Sequence, residues 1–120
     1  MRFVTKREEK LKEQDIRIVM AQLLLAVDLM HRKQIIHRDI KPDNILLIDK
    51  EQLMLCISDL GMACKTNDFK SVLMRCGTPS YVAPEILHDQ PFTTRADIFS
   101  LGSLFFNLLA QRPLFIGSSV

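Results

Sequence analysis

The chain has 120 residues, of which 48% are hydrophobic, with 16 Lys and Arg against 14 Asp and Glu. That is ordinary globular composition, enough for one small core, and a net charge of +2 without a clustered basic face argues against a nucleic-acid partner. The three cysteines, Cys56, Cys64 and Cys76, form no C-x-x-C pair, so neither a disulfide framework nor a zinc site is expected; with no apolar run of membrane-spanning length and no signal-peptide core, the expectation is an intracellular, cytoplasmic protein without a membrane partner.

Residues 3–11 suit a short helix, and the mixed-sign run KREEKLKEQD at 6–15 reads as a solvated helix face. From Asp15 to Lys33, Ile16, Val19, Met20, Leu23, Leu24, Val27 and Met30 recur at three- and four-residue steps, which predicts an amphipathic helix. Ile35 and Ile36 form a very short extended piece. The apolar runs 44–48 and 53–58, separated by DKEQ, predict a β-hairpin. Residues 59–80 show no period and read as a long loop, a feature of functional or mobile segments. DIFSLGSLFFNLLA, 97–110, is apolar on most faces and predicts a buried helix. Thr94 and Asp97 resemble a capping pair at its start, and Pro113 ends it near Gln111 or Arg112. Gly102 within it is either tolerated or marks close approach of another backbone. The order of elements alone gives an α+β fold, mainly helical.

Residues 37–44 read HRDIKPDN. A carboxylate such as Asp39 in a loop between extended pieces can accept a proton from a hydroxyl. The amide oxygen of Asn44 can ligate a hard cation such as Mg²⁺, and Lys41 brings a mobile positive charge to the same place. The blander reading is a polar turn built on Pro42 and Asp43. Against it stand the H-R-D-x-x-x-x-N spacing and Asp59-Leu60-Gly61 at the end of the second strand, where the Asp can reach a metal and the Gly permits a sharp exit.

GTPSYVAPE at 77–85 and DIFSLG at 97–102 follow. With these four motifs in order and spacing, nearly the whole chain resembles the C-terminal lobe of a eukaryotic protein kinase, serine/threonine type. The resemblance implies a kinase-like C-lobe fragment with a short β-hairpin, residues 1–120 being a partial catalytic domain that runs from the helix before HRD to the helix after APE. It implies transfer of the γ-phosphate of ATP to Ser or Thr of a protein substrate, with ATP and Mg²⁺ as cofactors. Asp39 would be the catalytic base, and Lys41 would stabilise charge on the transferred phosphoryl group. Asn44 and Asp59 would hold Mg²⁺, and Thr78 would bridge Asp39 and Lys41. Leu46 would lie under the adenine ring, although an inward strand residue reads the same way in sequence. Lys41 and Thr78 also point to the serine/threonine branch, and GTPSYVAPE loosely resembles the calcium/calmodulin-dependent group. His37 and Leu60 would belong to a stacked apolar spine. Asp97 would anchor the HRD backbone, or serve only as a first-turn helix carboxylate. Residues 62–75 would be the activation segment.

The sequence also departs from the family pattern. Its four glycines form no G-x-G-x-x-G loop, and no V-A-I-K strand precedes the first long helix, so the nucleotide-covering lobe is expected from a longer polypeptide. Glu85 would lack the arginine that pairs with the APE glutamate, and Phe99, Leu104, Phe105 and Leu108 would expose apolar area. The isolated chain is therefore expected to be unstable. Met74 stands four residues before Thr78, where many such kinases carry a phosphorylatable hydroxyl. Arg38, which grips that phosphate in the family, would have no obvious partner, with Thr66 and Ser71 as substitute phosphate sites. The alternative to a catalytic fragment is a kinase-lobe remnant that binds a protein partner, such as a full-length kinase, without catalysis.

Overall fold

The structure, a computed structural model, describes residues 11–116. The helix expected over 3–11 lies outside the described residues, apart from Leu11, which is not helical. Helix α1 (Glu13–Arg32) starts two residues before the expected Asp15, because Lys12 N–H donates to Asp15 Oδ2 at 3.3 Å. Asp15 thus closes the first turn rather than opening it. Ile16, Val19, Leu23 and Val27 are its buried stripe.

Strand β1 (Ile35–Ile36) follows, then the loop 37–44 and a hairpin of β2 (Ile45–Asp49) and β3 (Met54–Ile57). Ile45 pairs with Ile57, Leu46 with Cys56 and Leu47 with Leu55, before an irregularity ahead of Asp49. Asp49 Oδ1 accepts from the N–H groups of Glu51 and Gln52 at 2.8 and 3.0 Å, which closes the turn. Gln22 of α1 clips the hairpin in place: its Nε2 donates to Leu53 O at 2.9 Å and its Oε1 accepts from Leu55 N at 3.0 Å.

The expected loop over 59–80 is partly ordered. It contains a 3₁₀ turn (Leu60–Met62), strand β4 (Cys64–Lys65) and the short helix α2 (Phe69–Val72). Strand β4 pairs antiparallel with β1, Ile35 with Lys65 and Ile36 with Cys64. Elements this short carry no readable period, and β4 exists only because β1 offers it a ladder. Helix α3 (Pro84–Leu87) begins with Pro84 in the first turn, where a missing N–H costs nothing.

Helix α4 runs Thr94–Ala110. Its cap is Thr93, whose Oγ1 accepts from Arg95 N at 3.3 Å; the expected Thr94–Asp97 capping pair is not formed, since Asp97 turns inward. Gln111 in the left-handed region ends the helix, its N–H on Asn107 O at 2.8 Å. Burial on most faces is not observed: Ile98, Phe105 and Leu109 are exposed. Leu104 and Leu108, expected among the exposed residues, are buried against α1 and β2. Phe99 is half-buried and its ring stacks on Phe115, centroids 5.8 Å apart.

Two apolar clusters result among the described residues. One joins Ile16, Val19, Leu23 and Val27 of α1 to Leu101, Leu104 and Leu108 of α4, and takes in Ile40 and Ile45. The other joins Ile36, Cys64, Val72, Ala83, Ile86, Phe92 and Ala96. Each fully buried aliphatic side chain contributes about 1.5–3 kcal/mol relative to exposure. Loop 37–44 is gripped from both sides, by Ile36 in one cluster and by Ile40 and Ile45 in the other. Among the described residues no helix is long and apolar enough to cross a membrane.

A Cβ on Gly102 would meet no heavy atom within 4 Å among the described residues, so the close-approach reading fails and the glycine is merely tolerated. Gly102→Ala is expected to stabilise the protein by about 0.5–1 kcal/mol, read by urea denaturation. A loss of stability would show that an unseen neighbour approaches this face.

Candidate active site

The polar loop stands on a buried carboxylate. Asp97, one turn into α4 and 1% exposed, accepts from His37 N at 2.9 Å through Oδ2 and from Arg38 N at 3.0 Å through Oδ1. His31 Nε2, from the last turn of α1, lies 2.8 Å from the same Oδ2. The helix-dipole reading of Asp97 is thus the lesser part of its role. Arg38 adopts φ +69°, a conformation that costs an L-residue about 1–3 kcal/mol, and the Asp97 carboxylate holds it there. The His37 ring is fully buried. Its Nδ1 accepts from Asp39 N–H at 3.3 Å, which leaves Nε2 as the protonated nitrogen donating to Ser58 O at 3.1 Å.

That backbone presents Asp39 to three side chains. Lys41 Nζ lies 2.8 Å from Asp39 Oδ2. Thr78 Oγ1 donates to Asp39 Oδ1 at 2.6 Å and accepts from Lys41 Nζ at 2.8 Å. Asn44 Nδ2 donates to Asp39 O at 2.8 Å and to its Oδ2 at 3.1 Å. Burial alone would raise the Asp39 pKa. The hydrogen bonds from Lys41 and Thr78, the Lys41 charge and the Asn44 amide outweigh it and hold the carboxyl below its ordinary 3.8. A lone carboxylate at such a site would be costly; here each donor favours the charged form.

Thr78 is carried there by a loop that α4 also holds. Ser103 Oγ donates to Ser80 O at 2.6 Å, and Ser100 Oγ to Tyr81 O at 2.7 Å. Gly77 has φ +117°, and a Cβ there would press on Val82 Cγ2 at 3.3 Å and Arg38 O at 3.4 Å, so a side chain between the two loops would be strained.

A family model for the protein kinase domain matches residues 1–120. Three relatives illustrate the likeness. "Protein kinase 2" of Dictyostelium discoideum is 36% identical over 118 residues, 98% of this chain and 24% of that protein. "Probable serine/threonine-protein kinase 2" of Plasmodium falciparum is 41% identical over 109 residues, 90% of this chain and 21% of that protein. "Calcium/calmodulin-dependent protein kinase type 1" of Caenorhabditis elegans is 40% identical over 108 residues, 89% of this chain and 31% of that protein.

The chain belongs to the protein kinase family.

It covers between about a fifth and a third of the length of these relatives. The α+β arrangement of helices with small antiparallel sheets agrees with a stretch of that domain. Within this kinase domain, four of the six expected site residues, Asp39, Lys41, Asn44 and Thr78, form one hydrogen-bonded group. Leu46 is half-buried and alternates with the core-facing Ile45 and Leu47, so it lies on the other face of the hairpin and is not an inward strand residue. Asp59 is exposed in the left-handed region, φ +61°, with its Oδ1 on Gly61 N–H at 3.1 Å. Leu60 is exposed and packs in neither cluster, unlike the buried His37. Glu85 is half-buried and forms no side-chain ion pair among the described residues.

Sequence reading missed His31, Ser100 and Ser103. The signal was there in part: Asp97, Ser100 and Ser103 recur every three residues on an otherwise apolar helix, which marks one polar stripe turned toward the loops.

The lowered pKa of Asp39 has a definite sign. The folded state binds the proton more weakly than the unfolded chain, so the stabilisation is complete above the ordinary 3.8 and is lost as pH falls through the lowered folded value. In Thr78→Val, which removes one donor, the Asp39 carboxyl is expected to titrate at higher pH than in the parent, followed by carboxyl carbon NMR. An unchanged titration would contradict the assignment of Thr78 as a donor to Asp39.

Proposed function

We propose that the chain is the acceptor-side part of a serine/threonine protein kinase catalytic domain, and that the whole protein transfers the γ-phosphate of ATP to Ser or Thr of a protein substrate. The observation that carries this reading is the convergence of Lys41, Thr78 and Asn44 on the Asp39 carboxylate. A carboxylate held below its ordinary pKa stays ionised at neutral pH but is a weak base. It suits a role in which it orients the incoming hydroxyl and accepts its proton as the phosphoryl group moves. Lys41 lies on the Asp39 carboxylate and the Thr78 hydroxyl at once. Its charge would oppose the negative charge gathering on the transferred group.

The donor set suits a hard cation. Asn44 commits its amide nitrogen to Asp39 and keeps Oδ1 as its acceptor atom, and Asp59 has a second carboxylate oxygen beyond the one on Gly61. Oxygen ligands of this kind match Mg²⁺. Asn44 and Asp59 would hold the metal, and Leu46, on the hairpin face away from the core, would meet the adenine. Bound Mg²⁺-ATP would supply the phosphoryl group, with the cation offsetting its charge. The residues of this chain position the hydroxyl, hold its proton and fix the loop. The glycine-rich loop and the phosphate-positioning lysine of the reaction would come from polypeptide outside these 120 residues.

One observation favours the second reading, a non-catalytic lobe that docks a protein partner: Asp59 is exposed and spends one oxygen closing its own turn. The two readings separate in one assay of the native protein with Mg²⁺-ATP and a Ser/Thr peptide. Phosphate incorporation is expected, and Asp39→Asn is expected to lower it by about 10²–10⁴-fold. Equal incorporation by the variant would refute the role of Asp39, and absence of ATP binding by the parent would favour the docking module.

A further inference from the structure

Arg38 was expected to lack a partner. It is instead 9% exposed, with hydrogen-bond partners on both Nε and Nη1. Its Nε donates to Met62 O and its Nη1 to Ser71 O, so one guanidinium bridges two carbonyls nine residues apart. The same guanidinium lies over the Phe92 ring, Cζ 5.4 Å from the centroid, in the attractive geometry for a cation and an aromatic face. Phe92 N–H in turn donates to Val72 O at 2.7 Å. Arg38, Ser71, Val72 and Phe92 therefore close a ring of contacts around helix α2.

Asp68 supports that ring from outside. Its Oδ1 accepts from Ser71 N at 3.2 Å and its Oδ2 from Ser71 Oγ at 2.6 Å, which caps α2 and aims the Ser71 carbonyl at Arg38. The Asp68 carboxyl is held below its ordinary value, first by the Ser71 hydroxyl, then by the Ser71 amide, and in smaller part by the Arg38 charge. A buried cation needs dipoles or an anion around it; here two carbonyls, an aromatic face and a nearby carboxylate supply them. Met74 is exposed and has no hydroxyl to phosphorylate. A phosphate on Ser71 would stand against Asp68, a like charge.

We propose that Arg38 is a positioning residue that holds segment 62–72 in place through the Met62 and Ser71 carbonyls and the Phe92 ring, so that this segment is ordered without phosphorylation. The proposal rests on the kinase reading only where it concerns turnover. Order in the segment follows from the contacts alone.

The test uses the native protein, treated with a phosphatase until intact mass shows no phosphate. Hydrogen exchange at the 62–72 amides and peptide-kinase turnover are measured before and after. Protection and turnover are expected to stay within about twofold. Arg38→Ala is expected to speed exchange across 62–72 and to lower kcat by roughly tenfold or more with the KM for ATP unchanged, with Arg38→Lys restoring only part. Should Arg38→Ala fail to fold, Asp68→Asn, at an exposed position, is expected to loosen exchange at 69–72. Loss of protection on dephosphorylation, with or without loss of turnover, would overturn the proposal. Retained protection in a protein that never transfers phosphate would uphold the clasp and remove the kinase reading instead.

Discussion

Two backbone N–H groups of consecutive residues converge on one buried carboxylate, and the site depends on that convergence. Asp97 binds both His37 N and Arg38 N. The second of these residues, Arg38, stands in the left-handed region at φ +69°. The strain is local and the compensation is remote, supplied from α4 some sixty residues later in the chain. Removing the carboxylate would leave two buried donors unpaired, at about 1–3 kcal/mol each, and would free a strained residue that flanks Asp39.

Helix α4 acts as the common frame. Asp97 holds the 37–44 loop, and Ser100 and Ser103 hold the 78–82 loop, all from one polar stripe. The two loops then meet through Thr78 on Asp39 and through the backbone contact that Gly77 permits. Apolar residues at both ends of the first loop lock it into separate clusters, Ile36 in one and Ile40 and Ile45 in the other. A polar site between two apolar anchors keeps its side chains in narrow orientations, which electrostatic catalysis requires. Arg38 extends the same frame to the segment 62–72, so its main chain faces α4 while its side chain reaches the opposite loop.

Much of this was legible in the sequence wherever the signal was periodic or carried by side-chain chemistry. The α1 stripe at 16, 19, 23 and 27 and the hairpin pattern at 45 and 47 declare their buried faces directly. The Asp39, Lys41, Asn44 and Thr78 group was readable because its members lie in spaced motifs. What escaped depends on main-chain partners. Strand β4 has two residues and exists through pairing with β1. The partners of Arg38 are carbonyls, which any residue at 62 or 71 would supply, so no sequence letter announces them. Thr93 and Thr94 are equally good caps in sequence, and the fold, which buries Phe92 and Ala96 in one cluster, uses the first.

On the proposed kinase reading, Asp97 acts by fixing where Asp39 stands. A double-mutant cycle in the native protein tests this most directly, with phosphoryl transfer measured for the parent, Asp97→Asn, Asp39→Asn and the double variant. If Asp97 acts through Asp39, the double variant will be no slower than Asp39→Asn alone. If the two losses multiply, Asp97 serves the reaction by a separate route, and its role as the support of Asp39 is contradicted.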